Sequence, residues 1–318
     1  SRDNAEKQIR GEYMDPDTEE LYLNEADLDA FEGWSYYPEI VEWVNQNQDA
    51  PGAVGNFNAN NGYEDEPLTG IPGWGDSTDG VASEYIALLE LEKGAYKFGV
   101  NSDDGFSATI GANFSDALGL QLGIFNGGRG ASDTAFEFYV AEAGLYPYRV
   151  SWWEGGGGAN IEIFSMVDID GKATKVLIND PDVEGSIKAY TIKGAVVDES
   201  TTERVSTGRP YIVSVSPSPG GVAKGGITVV AKNDSDSITQ SSIGLAINGE
   251  AVDADVSSDG DLITISYDPE GGLPLGVSIA TLSYDESNGK SRSIDWSFKV
   301  PKYFTPAGPA PAEPLGLV

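Results

Sequence analysis

From Val81 onward the chain is written in short apolar runs broken by glycine, asparagine and aspartate. This punctuation limits the fold more than any other feature. Runs of about four to eight residues, bounded by turn formers, suit strands rather than helices. In the stretch TAFEFYVAEAGLYPYRVSWW, residues 134–153, Phe136, Phe138 and Val140 fall on one side of an extended backbone. Glu137 and Tyr139 fall on the other. FSATIG, LQLGIF and ANIEIFSMV continue the pattern between Gly-rich breaks. Asp170-Gly171, between FSMVDI and ATKVLI, is the dipeptide of a tight hairpin. The two runs of YIALLELEKGAYKFGV meet at Glu92-Lys93-Gly94 and also read as a hairpin. Helical signal is scarce. Residues 19–31, with Leu21, Leu28 and Phe31 at helix-like spacing, and residues 40–46 are the best candidates. The expectation is a mainly β chain, built as an antiparallel sandwich with a short N-terminal helical elaboration.

Residues 193–209, KGAVVDESTTERVSTGR, are polar and rich in Ser and Thr, and mark a boundary. The division expected is an extension over 1–79, a sandwich over 80–192, the linker, a second sandwich over 210–300 and a tail over 301–318. The second sandwich has at least six short runs with regular turn signals, and Trp296 is placed in its core. The tail is Pro-rich and extended, so it cannot enter a central strand. It serves either as a linker to a further module or as an arm on a neighbouring copy, in which case Pro306, Pro309, Pro311 and Leu315 carry the assembly contact. Trp34, Tyr36, Tyr37, Trp43 and Trp74 concentrate near the N-terminus, as a binding patch or as packing for the helical turns.

The 318 residues carry 51 acidic and 19 basic side chains, a formal charge of −32. Nucleic acid and anionic membrane are excluded as natural partners, since both call for basic faces. Nor is any run apolar for long enough to insert in a bilayer. The chain has no histidine and no cysteine. It therefore lacks the usual general base, the usual zinc ligand and every His-dependent nucleophile. A metal here would be a hard cation on oxygen ligands. The composition, and a start at Ser1 rather than Met, fit a processed bacterial protein, secreted or at the cell surface.

FGVNSDDGFSATIG poses the sharpest local question, because Asp103 and Asp104 stand side by side at a strand end. Two carboxylates so placed repel unless something compensates them. A tight turn, with Asp103 accepting backbone N–H groups and Gly105 supplying positive φ, is one answer. A cation is the other. Arg129, in NGGRGASDT, is a third partner, able to clamp Asp103, Asp104 or Asp133.

Four elements in order carry a resemblance: Gly94-Ala95-Tyr96-Lys97-Phe98, Ser102-Asp103-Asp104-Gly105, Gly144-Leu145-Tyr146, and the Gly155–Ala159 turn into an aliphatic strand. With these the chain resembles the PA14 family over roughly residues 80–192. The resemblance implies a β-sandwich module of secreted toxins, glycosidases and adhesins. In the adhesin branch it further implies calcium on the paired aspartates and a sugar on the calcium. Asp103 and Asp104 would be the ligands, joined by Glu154 or Asn160 from the loop before the last strand. Trp153 and Asn160 would face the sugar. The run Gly155 to Gly158 departs from the adhesin loops. The second sandwich, opening on Ser214-Val215-Ser216-Pro217-Ser218-Pro219-Gly220, resembles bacterial Ig-like domains.

Adjacent aspartates do not face each other across a substrate as a glycosidase pair must, and no enzyme activity is expected. The function expected is a non-catalytic extracellular adhesion module, binding glycan through a calcium-assisted loop with the Ig-like domain as spacer. The alternative is a structural subunit of a surface filament, with neighbouring copies of itself as partners.

Overall fold

The structure, a computed structural model, describes residues 1–22, 42–44, 54–58, 60, 62–63, 79–190 and 208–302. The protein is mainly β. It divides into two compact units, Ser1–Thr207 and Gly208–Val318.

The first unit contains helix α1 (Arg2–Ile9) and strands β1 (Glu42–Val44), β2 (Ala82–Leu91), β3 (Gly94–Asp103), β4 (Gly105–Ile110) and β5 (Leu120–Phe125). These are followed by β6 (Ser132–Val140), β7 (Gly144–Trp153), β8 (Asn160–Ile169), β9 (Lys172–Leu177) and β10 (Ala189–Tyr190). One antiparallel sheet runs β1-β8-β3-β6, with β9 on β8; the other runs β10-β2-β7-β4-β5. One core cluster joins them. Phe98, Phe136 and Ile161 come from the first sheet, and Leu89, Phe106 and Trp152 from the second. Phe98 is met edge-on by Phe138 at 4.9 Å and Tyr148 at 6.0 Å between ring centroids. Burial of each such side chain stabilises the fold by about 1.5–3 kcal/mol.

Several local expectations hold. In β6, Phe136 and Val140 are buried while Glu137 and Tyr139 are exposed. Asp170 and Gly171 take φ of 55° and 77° and close the β8–β9 hairpin, with the Gly171 N–H donating to Asp168 Oδ1 at 2.7 Å. Others are corrected. Glu92-Lys93-Gly94 is not a hairpin turn, because β2 and β3 lie in different sheets. The link crosses the sandwich, so that Leu89 and Leu91 face Phe98 and Val100 across the shared core. Within residues 40–46, residues 42–44 form a strand on β8, with Val44 opposite Asn160. Within residues 19–31, Glu19 takes φ of 59° and Leu21 bridges Met14, so the chain turns there instead of starting a helix. Residues 23–31 lie outside the described part, as do Trp34, Tyr36, Tyr37 and Trp74.

The helix present, α1, is one that apolar periodicity could not reveal. RDNAEKQI buries only Ala5. Glu6 holds it in place, accepting two guanidinium hydrogen bonds from Arg149 of β7 at 2.8 Å each and one from Ser151 Oγ at 3.1 Å. Arg149 also meets Glu84 of β2. Burial pushes the Glu6 carboxyl up, but Arg149 outweighs it and the net shift is downward. Glu6→Ala leaves Arg149, 7 % exposed, with half its compensation. We expect a loss of about 1–3 kcal/mol in denaturant unfolding; an unchanged midpoint would mean that α1 contributes nothing.

The second unit contains β11 (Tyr211–Ser216), β12 (Ile227–Lys232), β13 (Gly244–Ile247), β14 (Glu250–Val252), β15 (Asp255–Asp259), β16 (Leu262–Tyr267), β17 (Gly276–Asp285) and β18 (Ser291–Val300). Its sheets run β11-β12-β16-β15 and β14-β13-β17-β18. Buried residues alternate along the strands: Ile227, Val229 and Ala231 in one sheet, Trp296, Phe298 and Val300 in the other. The Trp296 Nε1–H donates to the Pro217 carbonyl at 3.0 Å. Strands β14 and β15 are short and largely exposed, so no apolar run announced them. Pro306, Pro309, Pro311 and Leu315 lie outside the described residues.

Candidate metal centre

Two sheet-to-sheet crossings run side by side in the first unit. The chain leaves β3 at Asp103 and enters β4 at Gly105; it leaves β7 at Trp153 and enters β8 at Asn160. The ladder fixes their register, with Gly105 opposite Trp153 and Asp103 opposite Asn160. Glu154 is thereby set beside the paired aspartates. One carboxylate oxygen from each of Asp103, Asp104 and Glu154 lies within 4.8 Å of the other two. The peptide between Asp103 and Asp104 is cis.

Backbone donors fix the cluster on its outer side. Asp104 Oδ1 accepts the Arg129 N–H at 2.7 Å, and Oδ2 accepts the Gly155 N–H at 2.9 Å. Asp104 thus accepts two backbone N–H groups, a role that the turn reading had given to Asp103. Gly105 does not have positive φ; its requirement is space, because a Cβ there would sit 2.4 Å from Trp153 Cε2. The Trp152 Nε1–H holds the Asp103 carbonyl at 3.0 Å.

Glu154 is the anomalous member. It is 2 % exposed, its Oε1 accepts the Gly156 N–H at 2.6 Å, and its Oε2 has no hydrogen-bond partner. Burial first, then the charges of Asp104 and Asp103, push its pKa up to about 8. A buried carboxylate oxygen with nothing to bind is costly unless it holds a proton or a cation. Arg129 does not reach the Glu154 Oε2 with a hydrogen bond. Its guanidinium hydrogen-bonds Ser102 and Thr134 and lies 4.1 Å from the centroid of Phe125. Its backbone N–H clamps Asp104, and its charge acts on Asp133 and Asp103. Desolvation lowers the Arg129 pKa, with Asp133 and Asp103 opposing. These three carboxylates could hold a metal ion, and the all-oxygen donor set suits a hard one.

Asn160, fully buried, is within the same crossing. Trp153 is 4 % exposed with its ring over Gly105, so it presents no open face for a sugar to stack on. Asp79 was not foreseen. It accepts the Gly157 N–H at 3.1 Å and adds a further negative charge near Glu154. Only its position just before β2 relates it to the site, and no motif marks it.

No family model matches the chain, and no curated protein matches it. PA14 domains are among the solved structures to which it is similar. The PA14 domain of the MpAFP antifreeze protein is 23% identical over 30% of this chain and 47% of its own, with a TM-score of 0.26. A PA14 sugar-binding domain from an RTX adhesin is 25% identical over 30% and 50%, with a TM-score of 0.25. The epithelial adhesin 9 A domain from Candida glabrata, in complex with Galb1-4GlcNAc, is 15% identical over 32% and 54%, with a TM-score of 0.24. The chain spans about half the length of these structures. No helix among the described residues is long and apolar enough to cross a membrane.

Proposed function

We propose that the first unit is a PA14-like, calcium-dependent glycan-binding module of a bacterial surface or secreted protein, and that the second is its Ig-like spacer. The carrying observation is the buried Glu154 Oε2, without a hydrogen-bond partner and beside two further carboxylates. Calcium suits the site better than magnesium. It takes six to eight oxygens in loose geometry, so carboxylates, the Asn160 amide and ligand hydroxyls can share it, whereas magnesium sheds water reluctantly. Catalysis is not part of the reading, since the clustered carboxylates leave no substrate between them. The spacer assignment is supported by the sheet order of the second unit, which in chain order is first-second-sixth-fifth and fourth-third-seventh-eighth, as in Ig-type sandwiches with one added edge strand.

Calorimetric titration of the full chain with calcium tests this. One ion is expected to bind, with magnesium far weaker, and Asp104→Asn should lower the affinity by at least about tenfold. Absence of calcium binding at millimolar ion would end the reading.

A further inference from the structure

The chain has no cysteine, so no disulfide can tie its N-terminal segment to the sheets. Another covalent tie is within reach. Phe57 packs with Phe164 of β8 and Leu177 of β9, on the face of the first sheet turned away from the shared core. Beside this small cluster, Lys175 of β9 meets Asn56, and Lys175 Nζ donates to Asn56 Oδ1 at 2.6 Å. A carbonyl bond of about 1.23 Å then puts Nζ no more than about 3.8 Å from Asn56 Cγ. Reacting atoms are poised at about 3–3.5 Å.

Two carboxylates hold the pair. Asp133 touches both partners: its Oδ2 meets Lys175 Nζ, and its Oδ1 accepts the Asn56 Nδ2 amide at 2.7 Å. Asn101 steadies Asp133 through the same Oδ1, also at 2.7 Å. The fully buried Glu162 accepts the Asn56 side-chain amide at 3.0 Å, and the backbone N–H groups of Asn56 and Phe57 at 2.8 and 3.0 Å. Gly55 permits this approach: its φ is 72°, and a Cβ there would sit 1.9 Å from Glu162 Oε1. The Asn56 side chain thus turns its carbonyl to an amine and its amide nitrogen to two acids.

We propose that Lys175 and Asn56 condense into an intramolecular isopeptide bond, with Asp133 as the proton carrier. Nζ, relieved of a proton by Asp133 Oδ2, adds to Cγ; the Cγ–Nδ2 bond breaks, and Nδ2 departs as ammonia. Of the three protons on the lysine ammonium, one stays on the new amide, one reaches Nδ2 through Asp133, and one is released, so the net product is ammonium. The step needs no oxidant, metal or cofactor. Asn56 and Asp133 line an open cleft through which ammonia can leave. The bond joins residues 119 positions apart, a constraint of the kind a disulfide supplies. It is independent of the metal and glycan readings, because neither Lys175 nor Asn56 belongs to the carboxylate triad.

Intact-mass spectrometry of the full chain tests this. The parent should be lighter than its sequence mass by one ammonia, and digestion should release a branched peptide joining Asn56 to Lys175. The branched peptide is needed because succinimide formation at an Asn-Gly pair, such as Asn248-Gly249, loses the same mass. Lys175→Arg keeps the positive charge but cannot condense, and should give no branched peptide. Asp133→Asn should slow linkage at least about a hundredfold, read from the linked fraction over time. Near-UV circular dichroism checks that both variants fold. Linkage of Asp133→Asn at the parent's rate would remove Asp133 from the chemistry. A parent chain at full sequence mass, with Lys175 acylated by an amine-reactive ester after unfolding, would overturn the bond and leave only a hydrogen-bonded clasp.

Discussion

Calcium should flatten the pH dependence of unfolding of the first unit. The Glu154 carboxyl is pushed from its ordinary 4.5 up to about 8 in the folded chain. Between those values the folded chain holds a proton that the unfolded chain has released. Without calcium, stability is therefore fully present below about pH 4.5 and falls as pH rises toward 8, by at most about 5 kcal/mol. Calcium takes the proton's place. It binds only the folded site, so an excess of about a hundredfold over Kd adds about 2.7 kcal/mol, or roughly 5–10 °C in Tm for a unit of this size. The calcium effect should grow with pH. Thermal unfolding at pH 5 to 8, in chelator and in calcium, reads both slopes, and Glu154→Gln should flatten the slope in chelator. Parallel profiles with and without calcium would remove Glu154 from the site.

Trp152→Ala should be the most damaging single substitution in the sandwich. The side chain is fully buried between the sheets, and truncations of this kind cost about 3–5 kcal/mol. Its indole N–H is also the tie that holds the Asp103 carbonyl. Trp152→Phe separates the two effects. It keeps most of the apolar bulk, loses the hydrogen bond at about 0.5–1.5 kcal/mol, and should weaken calcium binding several-fold. If Trp152→Phe binds calcium like the parent, the indole supports the core and does not position Asp103.

The fold was legible where one face of a strand is wet and the other dry. Phe136, Glu137, Phe138 and Tyr139 show the alternation of β6 directly, and Asp170-Gly171 announces its turn because few dipeptides accept positive φ twice. It was not legible where both runs are apolar. Nothing local in YIALLELEKGAYKFGV says whether the second run pairs with the first or faces it across a core. Helix α1 escaped because a buried ion pair, not an apolar stripe, docks it. At the candidate metal centre, the aspartate pair and Glu154 were visible as a motif and a later loop. The burial of Trp153 was hidden in a cross-strand contact with Gly105, and Asp79 is brought close by tertiary structure alone.

The docking of α1 and β1 also sets the order in which the unit can be completed during synthesis. Glu6 waits for Arg149, and Val44 waits for Asn160. On the ribosome these first segments emerge long before their partners, and each contact closes a loop that spans most of the unit. Such distant closures are slow to form. Glu6 and Val44 therefore stay without these particular partners until β7 and β8 are out. A shorter chain, trimmed to the motif-bearing strands, would lose both elements, and expose the Arg149 side chain and the stretch of β8 that they cover.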